Sequence, residues 1–203
     1  MKQLSFCVVL ITVILSSCIK DRLQPAAGPV KVSAQDTLMY YWDFNAGDSS
    51  QRGATIAINK GAIYQYYCSY IDFTGGSNLN LRGTSDSGQC LRLRNPSDSV
   101  IFYMPTTGFD SISIQFSEEA SGSGPSQNAI YYTTDGVHYV ATAIGNNTFA
   151  VGTVFSLNTF GIYSDPAVND NPKFAIKIVP LNNNTGASGN DRIDNVSMVG
   201  VRK

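Results

Sequence analysis

The chain has 203 residues, enough for one good-sized domain. Hydrophobic residues make up 43% and charged residues only 14%, with 11 Tyr and 10 Phe, a mix that suits short strands joined by polar turns and argues against helices rich in Glu, Lys, Ala and Leu. The formal net charge of −1 leaves no basic footprint for nucleic acid, and the single histidine, His138, weakens any mechanism that needs two imidazoles.

Residues 1–17 read as a signal peptide. Lys2 supplies a short positive end, and "FCVVLITVIL" (6–15) is apolar but too short to span a bilayer comfortably. The run ends in "LSSC" (15–18), which resembles the lipobox of bacterial lipoproteins. That resemblance implies cleavage before Cys18 and lipidation of Cys18, an anchor that needs no transmembrane helix. An ordinary signal peptide with an incidental cysteine is the competing reading. Residues 18–37 carry Pro, Ala, Gly and scattered charges without an apolar period, and read as a flexible tether. Ile19 stands where an inner-membrane retention signal would place Asp. Lys20 and Asp21 resemble a surface-export signal, so the expected location is the cell envelope, at the outer membrane, periplasmic or surface-exposed.

From Leu38 to Lys203 the pattern is strand, turn, strand. "LMYYWDFN" (38–45) alternates, with Trp42 among core-type residues. "GAIYQYYCSYIDF" (61–73) is aromatic and β-branched and reads as one strand. "QCLRLRN" (89–95) puts Leu91 and Leu93 inward. "SVIFYMP" (99–105) precedes "FDSISIQFSEE" (109–119), where Ile112, Ile114 and Phe116 alternate with Ser and Gln. "NAIYYTTDGVHYVATAI" (128–144) reads as a hairpin turning at "TTDG". "TVFSLNTF" (153–160), "KFAIKIVP" (173–180) and "GNDRIDNVSMVG" (189–200) complete nine or ten strands. Simple alternation in the last places Asp194 on one face with Val196 and Met198. The expected fold is all-β, an antiparallel β-sandwich.

Of the cysteines outside the signal peptide and the lipid anchor, Cys68 and Cys90 remain. In an oxidising exported compartment they are expected to pair, with two free buried thiols as the alternative.

"YYWDFN", "GQCLRLRN", "TTGFDSISIQF", "IYYTTDGVHY", "NDNPKFAIKI" and "GNDRIDNVSMVG" together resemble exported bacterial jelly-roll domains of the carbohydrate-binding-module, or galactose-binding-like, kind. The resemblance covers about residues 38–201 and implies a jelly roll. It also implies a structural calcium tying the first strand to the last. Asp194 matches the last-strand ligand position, and Asp43, Asn45 and Asp48 lie near the first-strand position. Asn45 stands where many relatives carry Glu, which lowers the ligand charge. Pairing with a strand arginine such as Arg192, or hydrogen bonds from turn N–H groups, would equally satisfy Asp194.

Sugar binding needs aromatic platforms beside amide and carboxylate groups. Tyr64 and Tyr66 in "YQYYCSY", with Tyr131 and Tyr139 flanking the hairpin, are the candidate ligand contacts, and the polar loops 74–88, 120–127 and 181–190 the candidate flanks. The alternative is that these rings are core. Glu118 and Glu119 point to opposite strand faces and read as a solvated strand end, not a glycosidase pair. His138 reads as a surface residue, and there is no G-x-S-x-G. The expected protein is a non-catalytic envelope lipoprotein that binds a glycan or other extracellular ligand. A structural or adhesive module binding a surface protein is the alternative, and a glycan-active enzyme a third reading.

Overall fold

The computed structural model describes residues 36–94, 97–181 and 189–203. The expected signal peptide, Cys18, nearly all of the tether and most of the 181–190 loop lie outside the described residues.

Among the described residues there are twelve strands and one short 3₁₀ turn, Pro166–Val168. The strands are β1 (Asp36–Trp42), β2 (Ile56–Ala57), β3 (Ile63–Cys68), β4 (Ile71–Gly75), β5 (Gln89–Arg94), β6 (Ser97–Tyr103), β7 (Phe109–Ala120), β8 (Gln127–Thr133), β9 (Thr148–Ala150), β10 (Ser156–Ile162), β11 (Ala175–Leu181) and β12 (Asn190–Arg202). They form two antiparallel sheets, a jelly-roll β-sandwich. The seven-stranded sheet runs β10-β7-β12-β1-β2, with β5 also on β12 and β4 on β5. The five-stranded sheet runs β3-β6-β11-β8-β9. The long β12 pairs with β5 through its first residues and with β1 through its later ones, so the first and last strands lie side by side.

Apolar alternation places the core between the sheets. Trp42 meets the edge of Phe102 at 5.2 Å, and Phe44 meets Tyr64 at 5.6 Å. Phe116 stacks on Phe160 at 5.9 Å, with Phe149 at the same distance. Such offset and edge contacts add to the burial of large rings.

The segment expected as one strand at 61–73 is two, broken at Ser69 and Tyr70. The part before the break joins the five-stranded sheet and the part after it joins the other. This crossing also corrects the expected disulfide: Cys68 and Cys90 are not bonded. Cys68 ends β3 in the five-stranded sheet. Cys90 lies on β5 of the other sheet, and by alternation with Leu91 and Leu93, which face the core, its thiol turns to the outer side of that sheet, where it is buried. The Cys90 Sγ reaches Gly75 O at 3.4 Å, and burial pushes the thiol up to about 12.

Two outcomes follow. A reductant leaves the melting midpoint unchanged, whereas loss of a structural bridge would cost about 3 kcal/mol. Phe102→Ala opens a cavity beneath Trp42, costs about 3–5 kcal/mol and lowers the midpoint on the order of 10 °C by calorimetry.

Candidate functional site

The alternation expected for β12 breaks at a bulge. Pairing with β7 shifts register between Asp194 and Ser197, and Asn195 takes a left-handed φ of 50°. The extra residue changes the parity. Ile193, Val196 and Met198 all face the core, while Asp194 leaves the side expected for it and lies under the connection between β4 and β5.

That connection is stitched to the bulge. Asp194 Oδ2 accepts from Ser77 N at 2.7 Å, and Oδ1 accepts from Asn195 N at 2.8 Å. The Asn195 amide donates to Ser77 O and Leu79 O at 2.8 and 2.9 Å and accepts from the Tyr41 hydroxyl at 2.5 Å. Asn80 donates back to Asn195 O at 2.6 Å. A Cβ at Gly76 would lie 2.2 Å from Ser87 O and 2.6 Å from Asp194 Oδ2, so only glycine fits there.

The four expected calcium ligands do not gather. Asp48 closes its own turn onto Ser50 N at 2.8 Å. Asp43 accepts from the Thr55 and Ser85 hydroxyls at 2.9 and 3.0 Å. Asn45 accepts from Gln89 N at 2.7 Å and donates to Asp86. The hydrogen-bond partners of the Asp194 carboxylate are N–H donors, the opposite of the oxygen cage calcium takes, and the Asp43 carboxylate acts on it only by repulsion. These four residues therefore do not fit calcium as a set. The turn-hydrogen-bond reading of Asp194 is the one the geometry supports.

The candidate ligand contacts also divide. Tyr64 is 1% exposed and belongs to the core. Tyr66 shares its side of β3, packs against the core and lies under Arg52, whose Cζ is 4.9 Å from the ring. Neither presents a face to a ligand. Their neighbours on β3 point the other way. Gln65 and Tyr67 lie on the outer face of the five-stranded sheet, and Tyr67 is 49% exposed.

On that face one row runs Gln65, Ile101, Lys177, Tyr131 across four strands. Tyr103 and Tyr67 both donate to Gln65 Oε1, at 3.1 and 3.4 Å. Tyr139, carried in by the segment after β8, lies against Lys177, whose Nζ is 5.6 Å from the ring. Burial pushes the Tyr139 hydroxyl up to about 12, so it stays a neutral donor. Two shallow depressions of about 360 and 460 Å³ adjoin here, the first lined by Tyr67, Ile101, Tyr139 and Lys177, the second by Gln65 and Tyr103.

Of the four candidate tyrosines, the structure thus brings Tyr131 and Tyr139 to this face and buries Tyr64. Tyr67 belongs to the same tyrosine-rich segment as Tyr64 and Tyr66, and period-2 parity groups it with Gln65 instead; Tyr103, Gln65 and Lys177 carry no sequence signal of a ligand contact. Which parity faces outward is a property of the sheet packing. His138 is exposed and bonds Asp135 at 2.6 Å. Glu118 is not a solvated strand end: it is fully buried, while Glu119 bonds Arg192 on the other face.

No family model and no curated protein matches the chain. Solved structures similar to it include the CBM22-2 xylan-binding domain of Paenibacillus barcinonensis Xyn10C, with 13% identity over 80% of this chain and 99% of that one and a TM-score of 0.49. The K3 cleaved adhesin domain of Lys-gingipain from Porphyromonas gingivalis has 9% identity over 81% and 100%, with a TM-score of 0.47. TmCBM61, solved in complex with beta-1,4-galactotriose, has 10% identity over 79% and 94%, with a TM-score of 0.43. Carbohydrate-binding modules are thus among the structures this chain resembles.

Burial raises the Asp194 carboxyl from 3.8 to about 7, outweighing the N–H donors of Ser77 and Asn195 that favour its ionised form. The folded protein holds this proton more tightly than the unfolded chain. The contribution is therefore full below pH about 4, falls as pH rises to about 7 and is flat above. Asp194→Asn removes the titration. Compared by urea unfolding, the variant gains on wild type by on the order of 3 kcal/mol between pH 4 and pH 7.5.

Proposed function

We propose that this protein is a non-catalytic cell-envelope lipoprotein, anchored at the outer membrane through Cys18, whose jelly-roll domain binds a glycan across the outer face of the five-stranded sheet. The observation that carries the reading is the contrast between the two outer faces. On the seven-stranded sheet the outward side chains, among them Tyr41, Gln115, Ser117 and Ser197, are buried beneath the stitched connection. On the outer face of the five-stranded sheet Tyr67 is exposed, and Gln65, Tyr103 and Tyr139 are half-buried beside it.

The chemistry of the open face suits a sugar. Ring faces of Tyr67, Tyr103 and Tyr139 pack against sugar C–H groups, and the Gln65 amide, Lys177 ammonium and phenols meet hydroxyls. A strip that crosses several strands suits a linear chain of sugars better than a single residue. These groups hold a ligand; a hydrolase of the usual kind would need paired carboxylates beside it.

The test is a glycan array followed by titration calorimetry. Tyr67→Ala and Tyr139→Ala are each expected to weaken binding about tenfold, equivalent to about 1.4 kcal/mol. Tyr66→Phe, on the other side of β3, leaves affinity unchanged. Absence of any glycan binder for the wild type, or equal affinity in both alanine variants, overturns the reading.

A further inference from the structure

The two outer faces of the sandwich treat their basic side chains differently. On the seven-stranded sheet Arg92 and Arg94 share Asp72, at 2.6 and 3.0 Å, and Arg192 pairs with Glu119. On the five-stranded sheet Lys177 has no carboxylate partner among the described residues, and its Nζ lies against the Tyr139 ring instead. Lys60 and Lys173, both exposed, line the neighbouring depression with Gln65 and Tyr103, and they too lack a carboxylate partner among the described residues.

Neither depression is lined by an Asp or a Glu. The Asp135 carboxylate, in the turn before Tyr139, bonds His138 at 2.6 Å and lines neither of them. The whole chain carries 15 acidic against 14 basic residues, so lysines gathered without an acid are a property of this face and not of the composition.

The hydrogen-bonding groups have the same bias. Gln65 Oε1 already accepts from Tyr103 and Tyr67, while its Nε2 has no partner among the described residues. A sugar hydroxyl both donates and accepts, and a face built to hold it normally offers carboxylate or amide oxygens as well as donors. A carboxylate or sulfate only accepts, which is what ammonium groups and amide N–H groups require.

We infer that the outer face of the five-stranded sheet takes an acidic glycan, one whose sugars carry carboxylate or sulfate groups. The inference rests on the reading of that face as a glycan site and names the class of ligand. The rings of Tyr67, Tyr103 and Tyr139 pack against sugar C–H faces, as for any glycan. Lys177 at one depression, and Lys60 and Lys173 at the other, pair with anionic groups on successive parts of the chain of sugars. Each such pair is open to water and weak by itself, so the lysines select acidic over neutral glycans while the rings supply the common contact. An anionic membrane surface would meet the same lysines, but it has no flat C–H face to offer rings set beside depressions.

The test uses the full chain on an array of uronate-bearing, sulfated and neutral glycans. The best binder is then titrated by calorimetry beside its carboxyl-reduced or desulfated form. Binding is expected only to acidic glycans, to fall at least tenfold when the anionic groups are removed, and to weaken as sodium chloride rises from about 0.05 to about 0.5 M. Lys177→Gln and Lys173→Gln each lose about fivefold in affinity, the scale of an exposed ion pair, and Lys177→Arg keeps it. Neutral glycans bound as tightly as acidic ones, with both glutamine variants unchanged, would overturn this inference and leave the glycan reading standing. Absence of any glycan binder overturns both. Phosphatidylglycerol vesicles bound more tightly than any glycan, and lost in the same variants, would overturn it in favour of a membrane surface.

Discussion

The bulge at Asp194 and Asn195 is the constraint on which most of the molecule depends. One extra residue in the last strand turns two polar side chains out of the core and onto the back of the seven-stranded sheet. There they hold the connection between β4 and β5 through Ser77, Leu79 and Asn80. Each contact joins positions far apart in sequence, so the ordering of that connection rests on the complete sheet. In return, the covered connection shields the hydrogen bonds from water, where an exposed set would contribute little.

Closing one face leaves the other available. The jelly roll has two broad outer surfaces, and the back of the five-stranded sheet groups several tyrosines without a covering connection. Tyr67, Tyr103 and Tyr139 meet there from three separate segments, joined by Gln65 and Lys177. Of these rings Tyr67 is exposed, and Tyr103 and Tyr139 are half-buried beside it.

The protein houses its acids in three physically different ways. Asp72 sits at the surface, where Arg92 and Arg94 at 2.6 and 3.0 Å hold it at about 2. Asp194 is buried among N–H donors. Glu118 and Asp191 are buried together, with one amide between them and two oxygens left over. The first arrangement needs no further partner and the second is satisfied by the chain itself. The third sets two carboxyls side by side, and burial raises both above the usual carboxylate range, with their repulsion adding to this at Glu118.

Much of the fold was legible in local pattern. Alternation in "SISIQF" and "CLRLR" placed Ile112, Ile114, Phe116, Leu91 and Leu93 in the core, because period-2 patterning is a local consequence of strand geometry. The composition excluded a helical fold for the same local reasons. Parity across an interruption was not local. "IYQYYC" shows that Tyr64 and Tyr66 share a side, but only packing of the sheets decided that this side is the core and that Gln65 and Tyr67 face water. The bulge at Asn195 and the break after Cys68 likewise reversed expectations built on unbroken alternation. They redirected Asp194 and set the two cysteines in different sheets. The sequence by itself determined which residues could alternate, pair and turn. The tertiary structure decided which face each strand offers, because a shift of one residue exchanges inside for outside and the partner strand alone sets that register.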